Sequence, residues 1–291
     1  MPYTDYNQVL QDIADNIREV TGSTASIRFV DMPDLISAFI GPHISLYGES
    51  SSTWKRKLIP YIGDTSGMTD MHNMLKGIKQ RNYPLDLSNF DTSNVTNMSH
   101  MLDGTYASSI DISSFDTSNV TDMSYMLSEF RLTSGVDLDL SHFVTSNVTN
   151  MHHMFFRFGT LITPPSTASV TLNVTGWDVS KVTDFGACFS IDSYHTFVGT
   201  SITELDLSGW NTSSATNMLS MFADSNLRKI WIPSTFVATR CSSDYKPFTV
   251  GPHSTCHIYT DAPSASAQGW GTISSPFVVH YNSTHTDYEN A

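Results

Sequence analysis

The stretch LDLSNFDTSNVTNMSHML, from Leu85 to Leu102, decides the fold. Two periods run through it. At its start Leu85 and Leu87 are apolar while Asp86 and Ser88 are polar, the period-two alternation of a strand with one buried face. At its end Val95, Met98, Met101 and Leu102 recur at the spacing of one apolar face of a short helix. Thr92, Ser93 and Asn94 lie between the two and supply turn and N-cap chemistry.

The unit recurs in both directions along the chain. It returns at Ile110–Leu127, Leu138–Phe155 and Leu205–Phe222, in degenerate form at Leu172–Phe189, and in part at Asp64–Leu75. Strand-like pieces without the full unit follow at Leu227–Ile232 and His257–Tyr259. A strand, a corner and a short helix per turn is the leucine-rich-repeat plan, in which each repeat buries its apolar face against the next. The expected fold is therefore an α/β leucine-rich-repeat-like solenoid of parallel strands and short helices over residues 42–260. A small helical module at 1–41 precedes it and a capping tail at 261–291 follows it.

The 13 methionines test this plan, because all except Met1 and Met32 fall in the helix slots. Their spacing admits soft-metal binding, but a stacked core ladder of flexible thioethers accounts for it more simply. Phe90, Phe115, Phe143, Trp177 and Trp210 are expected to form a second ladder at the corner. The Asn-x-Ser/Thr triplets at Asn94, Asn119, Asn147 and Asn173 are read as corner chemistry rather than glycosylation sites; a further triplet stands at Asn282.

Composition narrows the function. The 291 residues carry a net charge of −13 with a pI near 5.0, which argues against nucleic-acid binding and against electrostatic docking on an anionic membrane. The three cysteines, Cys188, Cys241 and Cys256, are odd in number and lack CxxC spacing, so neither a disulfide framework nor a structural zinc site is indicated. Free thiols are expected, with a Cys241–Cys256 bridge as the alternative. The N-terminus shows no basic and apolar signal pattern, and no apolar run is long enough to span a bilayer. No Ser-His-Asp order, phosphate loop or recurring acid pair stands out, and the chain is expected to be neither an enzyme nor a cofactor binder.

Three candidate sites remain. Asp86, Asp111, Asp139 and Asp206 recur on the outward side of the strands, as a solvated polar face or a cation ladder; Asn173 interrupts the row and favours the former. His152 and His153 are expected on the surface of their helix, with His100 and Tyr125 in the His153 slot on neighbouring coils. Finally, long loops at 156–171 and 190–204 carry Phe156, Phe158, Tyr194, His195 and Phe197. These aromatics suit recognition of protein or glycan, or else cover an open edge of the core.

The repeats resemble the BspA-like leucine-rich repeat, the bacterial surface protein repeat whose core reads xFDTSNVTNMSxMF, and the likeness covers about two thirds of the chain. It implies a surface or adhesive role and names no ligand. Residues 1–41 have helical spacing at Val9, Leu10, Ile13, Ile17 and Val20, then DMPDLISAFI from Asp31 to Ile40. Within it LQDIADNIREVTGST, from Leu10 to Thr24, and IRFVDMP, from Ile27 to Pro33, resemble an N-terminal helical module of phage virion proteins. The combination is read as a receptor-binding or host-attachment protein of a virion, assembled in the host cytoplasm. In that reading residues 1–41 bind other virion proteins, and the solenoid binds a host-surface protein or glycan. A bacterial surface adhesin and a virion decoration protein are the alternatives. A homo-oligomer is compatible with the sequence, which has no coiled-coil heptad to fix its size.

Overall fold

The computed structural model describes residues 65–80, 84–132, 137–159, 171–191 and 202–291. The module at 1–41 lies outside them. The chain winds as a leucine-rich-repeat-like solenoid of about seven turns. One side is built from β2 (Leu85–Asp86), β4 (Ile110–Asp111), β6 (Asp137–Asp139), β7 (Thr171–Asn173), β8 (Glu204–Asp206), β9 (Lys229–Trp231), β10 (Cys256–Tyr259) and β11 (Phe277–His280). Every pairing is parallel and in repeat register, Leu85 opposite Ile110, Leu138 opposite Leu172, and Leu205 opposite Ile230. In the early coils a second ladder joins β1 (Lys79–Gln80), β3 (Tyr106–Ala107) and β5 (Arg131–Leu132). A third is a run of single parallel bridges through Asp70, Asn97, Asp122, Asn150, Asp184 and Asn217.

The core is a set of columns. Leu85, Leu138, Leu172, Leu205, Ile230 and Ile258 line the strand side, while Val95, Val120, Val148 and Val182 line the corner; all are buried. The aromatic ladder forms as expected, with ring centroids 6.4 Å apart for Phe90 and Phe115 and 6.2 Å apart for Phe143 and Trp177 and for Trp177 and Trp210. The methionines of the repeats are buried in the same core. The three cysteines are buried free thiols, and burial raises the pKa of each.

The helix slots are a correction. Met98–Gly104 and its counterparts are hydrogen-bonded turns, not helix. The Met98, His100, Leu102 and Gly104 N–H groups each donate to the next coil, to the carbonyls of Asp122, Ser124, Met126 and Ser128 at 2.8–3.0 Å. A helix would have spent those donors within its own turn. His100, Tyr125 and His153 adopt the left-handed conformation at φ 55–56°, which breaks any helix there. Apolar spacing of three and one is met equally by such a turn, because its extended and left-handed residues also aim Met98, Met101 and Leu102 inward.

The polar letters of the repeat are spent on corners and on bonds between coils. Asp86, Asp91 and Asn97 each accept from the backbone N–H two residues on, so each opens a turn. Thr92, Thr117 and Thr145, all 1% exposed, donate to the carbonyls of Asp116, Val144 and Asp178 in the following coil. Asn94, Asn119 and Asn147 donate their side-chain amides back to Ser66, Ser93 and Ser118. Thr96 and Thr121 likewise donate to the preceding coil. These Asn and Thr residues of the corner triplets are thus accounted for by the solenoid itself. The sequence separation between stacked threonines runs from 25 to 34 residues, and insertions absorb the difference.

The tail adds a last strand, β11, in register with β10, Ile258 opposite Val279. Two short helices lie in it, α1 (Ala265–Gln268) and α2 (His285–Glu289). Thr284 and Asp287 close a reciprocal capping box on α2. Among the described residues no helix is long and apolar enough to cross a membrane.

Candidate recognition face

The left-handed residues of the turn side aim one column of side chains outward, Asn73, His100, Tyr125, His153, Ala187 and Ser220. Because the backbones are stacked, their rings stack too. His100 and Tyr125 lie 4.3 Å apart and nearly parallel, and Tyr125 and His153 lie 4.7 Å apart. His153 meets His152 at 4.2 Å and Phe156 edge-on at 4.9 Å; His72 meets His100 edge-on at 5.6 Å. The ring faces are used within the ladder.

Charged groups flank the ladder in pairs. Asp103 sits 2.8 Å from Lys76 and 2.9 Å from His100. Burial works against ionisation of Asp103, but the hydrogen bonds from His100 and Lys76 outweigh it and hold the carboxyl below its ordinary range. Glu129 pairs with Arg157 at 2.7 Å, and the Arg157 guanidinium lies over the Phe156 ring at 5.0 Å. Asp184 contacts His152 at 3.1 Å and accepts from Asn217 and the Gly186 N–H. Gly186 is needed for this, since a Cβ there would fall 2.7 Å from the His152 ring. His153 is strongly perturbed: burial, then the neighbouring His152, lower it to about 4, and its Nδ1 is buried without a hydrogen-bond partner.

The candidate residues named from sequence separate. Phe156 is half-buried beside His153 on this face. Phe158 is a correction to its placement as an exposed loop aromatic: it is 2% exposed and stacks on Phe130 in the core. The turn that carries Phe156 outward brings the chain back inward two residues later. Tyr194, His195 and Phe197 lie outside the described residues. Asp86, Asp111 and Asp139 stand exposed on the strand side, each accepting from the Ser N–H two residues on. The Ser88 and Ser141 hydroxyls, and after them these N–H groups, hold Asp86 and Asp139 below the ordinary carboxylate range. Among the described residues no group of three or more His, Cys, Asp or Glu is placed to hold a metal ion.

Asp206 differs from the rest of its row, because α2 folds back over it. His285 contacts the Asp206 carboxylate at 2.8 Å, Tyr288 packs near Trp231 and Tyr259, and Lys229 lies 4.7 Å over the Tyr288 ring. Sequence periodicity carried no signal for this cover, since α2 and β8 are 79 residues apart at the His285–Asp206 contact. The strand side is thus closed over by the tail at its C-terminal end, while Asp86, Asp111 and Asp139 stay exposed.

Parallel coils that stack in register, with an outward column of unlike side chains, define a solenoid repeat protein. The chain belongs to the family described as Mycoplasma protein of unknown function, DUF285, whose model matches residues 62–161 and 160–229, more than half of its length. The matched span covers the coils as far as the start of β9, in keeping with their BspA-like repeats, and it starts beyond residues 1–41. No curated protein and no solved structure matches the chain.

Proposed function

We propose that the chain is a non-catalytic recognition protein of a bacterial surface, an adhesin-type solenoid that binds a cell-surface protein or glycan through its turn side. One observation carries this. The Thr, Asn and Asp columns repeat from coil to coil because hydrogen bonds between coils demand them, whereas the outward turn column changes at every coil, Asn73, His100, Tyr125, His153, Ala187 and Ser220. Side chains that the fold does not prescribe are free for recognition. The BspA-like repeats support the surface role, and a net charge of −13 disfavours nucleic acid as the partner. Binding of labelled full-length protein to cells and to isolated cell envelope tests the reading. Tyr125→Ala combined with Phe156→Ala is expected to lower binding roughly tenfold or more, as for loss of aromatic anchors, with little change in the melt. Normal binding by that variant would remove the turn side from the function.

A second reading, attachment protein of a virion, rests solely on the resemblance in sequence of residues 10–33 to virion modules, which the family match does not reach. Immunogold labelling separates the two: label on the producing cell's surface supports the adhesin, and label on released particles supports the virion.

A further inference from the structure

We propose that the edge strand β11 is a self-association surface, on which a second copy of this chain pairs its own β11 antiparallel about a two-fold axis. Among the described residues strand β11 ends its sheet, with β10 on one side only. The Pro276 and His280 carbonyls accept from the Cys256 and Thr260 N–H groups of the β10 side. In a parallel ladder alternate residues face the neighbour, so the Val279 N–H and C=O and the Phe277 C=O face the open edge. The Phe277 N–H is used locally, donating to Ser274.

Exposed edges are ordinarily blunted by charge, by cover or by a bulge. This one has none of these among the described residues. Its side chains are Phe, Val, Val and His, and the covering helix α2 packs over β9 and β10 instead. Between Lys246 and Asp287 the only Asp, Glu, Lys or Arg is Asp261. Beside the strand, Ile273, Phe277, Val279 and Tyr281 remain partly exposed where they pack on the last slice of core, with Phe277 5.2 Å from Phe248 and Tyr281 6.5 Å from Trp270. A terminal core slice of a solenoid calls for a cover.

The charge distribution points to a second copy as that cover. Two chains of net charge −13 repel, and the stretch from Pro247 to Thr286 that carries β11 brings one acidic side chain, Asp261, to such a contact. A strongly charged partner would find nothing here to pair with. An open strand edge is also complementary to itself: in an antiparallel two-fold pairing, each copy's free donor meets the other's free acceptor.

Sedimentation velocity of the full chain, over roughly a hundredfold range of concentration, is expected to show a monomer–dimer equilibrium. Amide exchange at Val279 should slow as the dimer forms. Val279→Pro removes the outward donor. Val278→Lys, at a side chain 40% exposed, places two cations across the pairing. Both should shift the protein to monomer, and Val278→Lys should melt as the unchanged chain does, which keeps the test sound if the proline variant folds poorly. A monomer at every concentration overturns the proposal. So does a dimer that survives Val278→Lys with Val279 exchanging freely, or growth into open-ended polymers, which would mean end-to-tail stacking.

Discussion

Thr117→Val isolates what the polar ladder contributes. Its hydroxyl is buried, donating to the Val144 carbonyl at 3.0 Å and accepting from the Val144 N–H at 2.8 Å. Valine has nearly the same shape, so the change removes two hydrogen bonds and leaves both Val144 backbone groups without their partner. At about 1 kcal/mol per bond, plus part of the cost of orphaning the two groups, the loss is about 2–3 kcal/mol. For a chain of this size that lowers the Tm by roughly 3–5 °C. Two comparisons fix the cause. Thr117→Ser keeps both bonds and should cost about 1 kcal/mol for a buried methyl. Thr96→Val removes a donor to the Thr69 carbonyl at 3.1 Å on the exposed side, where water replaces it, and should cost less than about 1 kcal/mol. Thermal and urea melts of the four proteins give the order. If Thr117→Val melts with Thr96→Val, the buried threonines are not what ties one coil to the next.

Met126 is fully buried, so Met126→Ala should cost about 2–5 kcal/mol and Met126→Asp more; an aspartate variant that melts with the unchanged chain refutes the core ladder. EDTA should leave the Tm unchanged, since Asp86, Asp111 and Asp139 are occupied by their own turns; a rise of several degrees on adding calcium would instead establish a cation on the strand side. The unfolded chain takes up a proton at His153 near its ordinary value of 6.5, whereas the folded chain does so only near about 4. Stability from this group is therefore complete above 6.5 and declines as pH falls from 6.5 toward about 4; His153→Phe should flatten that part of the stability profile, and an unchanged slope would refute the assignment.

The period-two start and the recurring DTSNVTNM string were enough to place the parallel strands, the column of methionines and the aromatic corner, because stacking makes one coil's sequence its neighbour's environment. The same string misled about the helix slots. Inward spacing of Met98, Met101 and Leu102 fits a helix as well as a turn, and what separates them is where the backbone donors go, which depends on the coil next door. Phe156 and Phe158 look alike as letters; the turn that brings one out returns the other to the core. His100, Tyr125 and His153 were visible as a shared slot, but their mutual stacking needed the left-handed backbone that aims all three along one line. The cover of α2 over Asp206 and Trp231 lay beyond periodicity altogether, because it joins segments that no repeat relates. By itself the sequence determined the columns, since each is a local pattern repeated. The tertiary structure decided which groups face outward and which strand edge stays open, because both follow from how the chain leaves one coil and closes on another.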